Sequence, residues 1–275
     1  MIEKTLLLKR PKQAKKTEPR VPRKPPENPT PVIKALAWGV HLYTALGLVM
    51  AAAIAVLLYQ GGPDAFRWSF ILMAIATFVD ATDGTLARAI HIKEVLPKFD
   101  GRKLDDITDF LTYTALPLLL IWRAQLLPTG TEWCLVFPLL ASAYGFCQSD
   151  AKTDDGFFLG FPSLWNVVAF YLYILQVPGN FALGAILILA LMTFVPSRYL
   201  YPSQPGLLNR VDNVLSIGWT FMLGWVLWGM PSLETFRTAA TTPQFRSVAV
   251  ASLYYPAFYM GASWVVSVRH WTKPR

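Results

Sequence analysis

The chain has 275 residues, of which 54% are hydrophobic and only 15% are charged. An average soluble domain carries about 25% charged residues, so the composition argues against a soluble globular protein and indicates an integral membrane protein. The two cysteines, Cys134 and Cys147, offer neither a disulfide framework nor a zinc-ligand spacing.

A basic, proline-rich tail opens the chain. Residues 1–34 hold ten Lys or Arg, three Glu and seven Pro, and they supply +7 of the formal net charge of +8. Such a segment cannot bury a core, so we expect a disordered cytoplasmic arm with an affinity for anionic lipid. We expect no nucleic-acid binding, because no aromatic residues interleave the basic ones. Residues 35–275 are predicted to form one transmembrane domain.

Eight apolar segments follow the tail, and each is interpreted as a membrane-spanning helix. The expected fold is all-α, a polytopic membrane helical bundle with about eight transmembrane helices. Several segments are shorter than the roughly 20 residues that an untilted span needs, so their boundaries are approximate. The segments lie near residues 36–58, 66–87, 104–124, 131–148, 159–177, 180–195, 211–230 and 246–268.

The basic residues orient this bundle. With the N-terminus inside, the inner segments hold 21 Lys or Arg and the outer segments hold four. Because cytoplasmic segments carry the excess of basic residues, both termini are predicted to be cytoplasmic.

Four aspartates lie at the predicted cytoplasmic ends of the second and third spans. Asp80 and Asp83 are three residues apart, and Asp105 and Asp109 are four apart, so each pair shares one face of a helix. Two helices that meet at a short connection can direct all four carboxylates into one space. Carboxylates at membrane depth cost roughly 2.5–3.5 kcal/mol each and repel one another, so the arrangement requires neutralisation.

Two divalent cations would balance four carboxylates. Carboxylate oxygens suit Mg²⁺, Mn²⁺ or Ca²⁺, so we predict a two-metal site of the kind that clamps the oxygens of a phosphorus centre. Gly84 and Gly101 would let a diphosphate or ribose approach the backbone, and Arg88 offers a forked donor for phosphate.

A plainer interpretation pairs the acids with basic residues at the helix ends. The candidate partners are Arg88, Arg102 and Lys103. Two further acids, Asp100 and Asp106, are interpreted as a loop acid and a solvated surface acid.

The spacing of these residues resembles the signature of the CDP-alcohol phosphotransferase family. The signature reads D-x-x-D-G-x-x-A-R and then G-x-x-x-D-x-x-x-D. All eight of its residues are present: Asp80, Asp83, Gly84, Ala87, Arg88, Gly101, Asp105 and Asp109.

The resemblance implies a helical membrane enzyme, commonly a dimer, that transfers a phosphoalcohol group from a CDP-linked donor to a hydroxyl and releases CMP. It implies two divalent cations, Mn²⁺ or Mg²⁺, on the four aspartates, and Asp109 as the base for the acceptor hydroxyl. It also implies that a CDP-diacylglycerol donor contacts five motif residues: Asp80, Gly84, Ala87, Arg88 and Gly101.

Two departures from the general family pattern resemble bacterial phosphatidylcholine synthases, which join CDP-diacylglycerol to choline. Twelve residues separate Arg88 from Gly101, where most members leave eight or nine, and eight spans replace six. The segment from Gly156 to Asn166 also resembles that subfamily. The implied location is a bacterial inner membrane, with the active site facing the cytoplasm and a homodimeric assembly.

Choline is a quaternary ammonium, which aromatic faces bind. Tyr113, Tyr144 and Trp165 are candidates, although each also suits lipid-facing or core packing. Serine, inositol or a glycerol phosphate remains an alternative acceptor. Outside the enzyme class, acids between spans can mark an ion transporter, although transporters place them near the midplane.

Overall fold

The computed structural model describes residues 29–149, 151, 153, 156–201, 206–228 and 243–272. These residues are mostly helical, as expected. The helices are α1 (Pro31–Gln60), α2 (Pro63–Ala89), α3 (Ile92–Val95), α4 (Gly101–Asp109), α5 (Leu116–Arg123), α6 (Val136–Cys147), α7 (Trp165–Ile174), α8 (Gly179–Met192), α9 (Leu207–Trp228), α10 (Pro243–Ser252) and α11 (Tyr254–Trp271).

In the part of the chain that the structure describes, two helices, α1 and α2, are long and apolar enough to cross a membrane by length and composition. Helices α7 and α8 are apolar but have only 10 and 14 residues. Each of the eight predicted segments nevertheless coincides with a helix or a pair of consecutive helices. The helical content is therefore confirmed, and the number of spans stays a prediction.

Local sequence signals set the ends of the first two helices. Thr30 caps α1, because its hydroxyl accepts a hydrogen bond from the Ile33 backbone N–H at 3.4 Å. Gly61 ends α1 with a φ of +70°, a conformation that glycine adopts without strain. Pro63 then starts α2, where its missing N–H costs nothing. The two long helices therefore form an antiparallel hairpin.

The third predicted span is not a continuous α-helix. A π-helical segment, Phe110–Ala115, separates α4 from α5. Pro117, in the first turn of α5, has no backbone N–H to donate to the carbonyl four residues earlier. The backbone before it therefore adopts the wider π-helical hydrogen-bond pattern. This segment begins directly after Asp109.

The structure adds two short strands that the all-α prediction lacks. β1 (Phe157–Leu159) pairs antiparallel with β2 (Arg198–Leu200). Strands of three residues are too short to show an alternating hydrophobic pattern, so the sequence carried no signal for them.

The last predicted span is broken. A turn at Leu253 separates α10 from α11, because the ring of Pro256 would collide with the carbonyl of Ser252 in a continuous helix. Most of the outer loop at 231–245 lies outside the described residues.

The predicted tail also falls largely beyond the described part. Helix α1 begins at Pro31, so the last four residues of the predicted disordered segment 1–34 are helical. Residues 1–28 lie outside the described residues.

Candidate active site

Helices α2 and α4 bring three of the four predicted metal ligands together. One carboxylate oxygen from each of Asp80, Asp105 and Asp109 lies within 4.8 Å of the others. All three side chains are partly buried. Hard oxygen donors at this separation fit a divalent cation such as Mg²⁺ or Mn²⁺.

The fourth acid, Asp83, faces helix α1. It is buried, and one of its oxygens accepts a hydrogen bond of 2.7 Å from the Thr44 hydroxyl. The described ligand cluster does not include Asp83. Its place in the metal site therefore remains a prediction.

The π-helical segment places a tyrosine hydroxyl on the carboxylate cluster. Tyr113 donates a hydrogen bond of 2.7 Å to Oδ2 of Asp80. Since Asp80 is one of the three clustered acids, Tyr113 fixes the orientation of a candidate metal ligand. The hydroxyl of Tyr113 thus has a polar partner, and the ring of Tyr113 as a choline contact stays a prediction.

A close contact between α1 and α4 sets the position of the second acid pair. A Cβ added at Gly47 would collide with Cγ2 of Thr108, the residue before Asp109. Because Gly47 has no side chain, the two helices approach closely.

The first half of the motif carries structural roles as well. A Cβ at Gly84 would lie 3.2 Å from Nη1 of Arg88, so the glycine leaves room for the guanidinium. Arg88 is exposed and donates to the Thr85 hydroxyl at 3.1 Å. Ala87 packs against a small apolar cluster that contains Ala37 and Ile92. Arg88 is therefore accessible for a phosphate ligand.

Gly101 lies against the imidazole of His41. A Cβ at this glycine would overlap the His41 ring, whose Nδ1 would be only 2.9 Å away. His41 in turn packs on Phe99, with ring centroids 4.4 Å apart. The space that a side chain at this position would fill is thus occupied by the His41 ring of α1. Contact of Gly101 with the CDP-linked donor remains a prediction.

One basic candidate of the plainer interpretation, Lys103, pairs with an acid outside the motif. Within the described residues, the salt bridge found joins Lys103 to Asp100 at 3.8 Å. Asp100 also caps α4 by accepting from the Lys103 backbone N–H. Lys103 therefore pairs with an acid outside the motif, and the pairing of Arg88 or Arg102 with a motif acid stays a prediction.

The other two aromatic candidates for choline differ in accessibility. Trp165 is fully buried and donates to the Ser142 hydroxyl at 2.7 Å. Tyr144 is exposed and accepts a hydrogen bond from Gln148. Trp165 is therefore a core residue, and Tyr144 shows no link to the carboxylate cluster.

Sequence reasoning missed Thr44, His41 and Gly47, all on α1. The motif signals come from α2 and α4, whereas α1 reads as a uniformly apolar span. The available signal was the pair His41 and Thr44, two polar residues three positions apart in an apolar helix. Such a pair indicates a face of α1 that turns toward the motif aspartates.

A bundle of apolar helices with a carboxylate cluster at the meeting point of two of them has the character of a membrane-bound metal-dependent transferase. The model of the CDP-alcohol phosphatidyltransferase family matches residues 41–196. The chain therefore belongs to this family, whose substrates are CDP-alcohols and alcohol acceptors and whose members use divalent metal ions.

Curated relatives agree with this assignment. The chain is 36% identical to a phosphatidylcholine synthase of Pseudomonas aeruginosa, over 74% of this chain and 84% of the relative. It is 41% identical to one of Legionella pneumophila, over 66% and 70% of the two chains. A phosphatidylcholine synthase of Mesorhizobium japonicum is 32% identical over 83% of this chain and 82% of its own.

Proposed function

We propose that this protein is a phosphatidylcholine synthase, which condenses CDP-diacylglycerol with choline to give phosphatidylcholine and CMP. The observation that carries the proposal is the cluster of Asp80, Asp105 and Asp109 within the family motif. The acceptor follows from the relatives, which are named phosphatidylcholine synthases.

The donor set supports a divalent metal site. Asp80, Asp105 and Asp109 would hold the first cation, and Asp83 would complete a two-metal site with Mn²⁺ or Mg²⁺. When bound, these cations would supply Lewis acidity to the diphosphate of the donor. Three clustered carboxylates without such cations would repel one another, which is consistent with this use.

The motif residues then divide the work of the reaction. Asp109 takes the proton of the choline hydroxyl, and the choline oxygen forms a bond to the phosphorus that carries diacylglycerol. The bond from that phosphorus to the CMP oxygen breaks, and CMP leaves. Arg88 is exposed at the end of α2, where its guanidinium can bind the charged diphosphate. Asp80, Gly84, Ala87, Arg88 and Gly101 form the donor surface.

The direct test is CMP release by the purified protein in detergent, with CDP-diacylglycerol and choline as substrates. We expect release that requires Mn²⁺ or Mg²⁺ and stops on chelation. Parallel reactions with labelled serine, inositol and glycerol phosphate would reveal a different acceptor. If no acceptor gave CMP release, the proposed enzymatic function would be wrong. An ion transporter, which does not cleave CDP-diacylglycerol, would then be the remaining alternative.

The membrane arrangement is part of the same proposal. We propose eight spans with both termini in the cytoplasm of a bacterial inner membrane, residues 1–34 as a cytoplasmic tail and residues 35–275 as the catalytic domain. The excess of basic residues on one side supports this orientation. The active site then faces the cytoplasm, where choline and CMP are soluble, and the enzyme works as a homodimer.

A further inference from the structure

A buried carboxylate lies in the part of the chain that the family model does not cover. Asp212 is in α9, beyond the matched residues 41–196, and its side chain is 0% exposed. Most of α9 is exposed apolar surface, including Val214 and Phe221. Asp212 is therefore a charged residue on the one face of α9 that packs against the protein.

Among the described residues, this carboxylate has one weak hydrogen-bond partner. Tyr255 of α11 donates to Oδ2 of Asp212 at 3.4 Å. Within the described residues, Oδ1 has no hydrogen-bond partner, and no Lys, Arg or His forms an ion pair with Asp212. A buried, ionised carboxylate that lacks a protein cation is costly, so the group is either protonated or neutralised by a ligand that carries positive charge.

The surroundings of Asp212 are aromatic. The ring of Tyr255 lies 5.0 Å from that of Trp219, measured between centroids, and 6.3 Å from that of Tyr259. Tyr199 of β2 continues the cluster at 6.1 Å from Tyr259. A carboxylate next to an aromatic cluster suits a quaternary ammonium, which has no hydrogen-bond donor, better than a hard metal ion, which needs several oxygen ligands.

Contacts through α7 relate this site to the motif acids. Asn166 donates to Thr77 of α2 at 3.3 Å, three residues before Asp80. Further along α7, Tyr171 accepts a hydrogen bond from Trp219 of α9 at 2.8 Å.

These two contacts set the relative depth of the acids. Asn166 lies about 7.5 Å along α7 before Tyr171, and Asp212 lies about 10.5 Å along α9 before Trp219, at 1.5 Å per residue. In the proposed eight-span topology, α7 and α9 run in the same direction. Asp212 is therefore at a depth similar to that of Asn166 and of the motif acids.

We propose that Asp212, with the rings of Tyr255 and Trp219, is the binding site for the quaternary ammonium group of the acceptor. The proposal rests on the proposed function, in that choline is taken as the acceptor. Under this proposal, helices α9 to α11, which lie beyond the family match, select a cationic alcohol as the acceptor.

The decisive variant is Asp212→Asn, assayed by CMP release in detergent. Asn has nearly the same shape as a protonated Asp, so a neutral structural role would survive the change, whereas cation binding would not. We expect the KM for choline to rise by at least about tenfold, with the KM for CDP-diacylglycerol changed by less than about twofold. An unchanged KM for choline in an active variant would overturn the proposal.

Tetramethylammonium, which has the cation but no hydroxyl, provides a second readout on the unaltered protein. We expect it to compete with choline and not with CDP-diacylglycerol, and its inhibition constant should rise in Asp212→Asn by the same factor as the KM for choline. Inhibition that is equal in both proteins would place the cation elsewhere and contradict the proposal.

Neighbouring tyrosines supply a matched comparison that does not depend on the stability of the Asn variant. Tyr255→Leu removes the aromatic face and should raise the KM for choline, whereas Tyr255→Phe keeps the face and should raise it less. Tyr254→Phe is the control, because the Tyr254 hydroxyl donates to the Leu215 carbonyl and not to Asp212. Equal effects of the Leu and control variants would exclude a cation site here.

The outcomes separate this proposal from the proposed function. If the unaltered protein releases no CMP with choline, the proposed function fails. If it releases CMP with choline, and the Asp212 and Tyr255 variants keep their KM for choline, only the cation site fails.

Discussion

Two hydroxyl groups each hold one motif carboxylate in a defined orientation. Tyr113 donates to Asp80, and Thr44 donates to Asp83, both at 2.7 Å. Groups that bind a metal ligand from behind fix its rotamer and change metal affinity even though they do not touch the metal. The chemistry of the aspartates therefore depends on residues outside the family signature.

Tyr113→Phe should lower turnover. The change removes one hydrogen bond to a carboxylate and keeps the ring, so we expect kcat for CMP release to fall about tenfold to a hundredfold, equivalent to about 1.5–3 kcal/mol. Tyr43→Phe is the matched control, because the Tyr43 hydroxyl bonds Thr82 and no motif acid. A kcat unchanged in Tyr113→Phe at saturating metal would show that the contact is dispensable.

Thr44→Val should act on metal dependence. Valine has the size of threonine but leaves Asp83 without its hydroxyl donor, so the Mn²⁺ concentration for half-maximal activity should rise about tenfold to a hundredfold. The measurement is a metal titration of CMP release. Thr193→Val is the control, because this buried hydroxyl donates to the Leu189 carbonyl and to no motif acid among the described residues. Identical titration curves for the two variants would argue against Asp83 as a ligand.

At the scale of helices, the site depends on how closely α1 approaches α4. Gly47 and Thr108 form one close contact, and Asp109 follows directly. Any side chain at Gly47 would push α4, and with it Asp105 and Asp109, away from Asp80. Helix packing thus controls the separation of the metal ligands.

Gly47→Ala should therefore reduce both stability and activity. Overpacking of this kind costs about 1–3 kcal/mol, so we expect a lower Tm in detergent together with a lower rate of CMP release. Gly39→Ala on the same helix is the control, because nothing lies within 4 Å of its added Cβ. Loss of Tm in both variants would indicate a general sensitivity of α1 and not a contact with α4.

The double variant Gly47→Ala with Thr108→Ser tests the contact itself. Serine removes Cγ2 and keeps the hydroxyl, which donates to the Leu104 carbonyl at 2.8 Å. We expect Thr108→Ser to restore most of the Tm and activity lost in Gly47→Ala, a coupling that neighbouring residues show and distant ones do not. Purely additive effects would contradict the proposed contact.

The helical segments were predictable from the sequence, because each is a long apolar run. The convergence of three acids was predictable from the spacing of the aspartates along two helices. The π-helical segment was not, since it follows from how the backbone adapts ahead of Pro117. The break at Leu253 had a visible signal in Pro256, which the apolar pattern masked. The partners of Asp80 and Asp83 were not predictable, because Tyr113 and Thr44 reach them only through tertiary packing.

At the scale of the whole molecule, the structure divides into the matched family core and an added pair of helical segments. The core, residues 41–196, carries the acid cluster, and α9 to α11 carry the buried Asp212. The two parts meet where Trp219 donates a hydrogen bond to Tyr171 and where β2, which follows the matched residues, pairs with β1 of the core. Ser263 and Ser267 of α11 bond the backbone of β2. The acid cluster thus lies in the matched core, and the proposed acceptor site lies in the segments that follow it.

The natural cysteines test the proposed orientation. Cys147 is exposed at the C-terminal end of α6, which we place in the cytoplasm, and Cys134 is buried near the other end. A membrane-impermeant maleimide should therefore label Cys147 in inverted membrane vesicles but not in intact spheroplasts. Thr129→Cys, at an exposed loop position beyond the opposite end of α6, combined with Cys147→Ser, should show the reverse pattern. Labelling of Cys147 in intact spheroplasts would contradict the proposed orientation. It would mean that the acid cluster faces the outside, away from cytoplasmic choline.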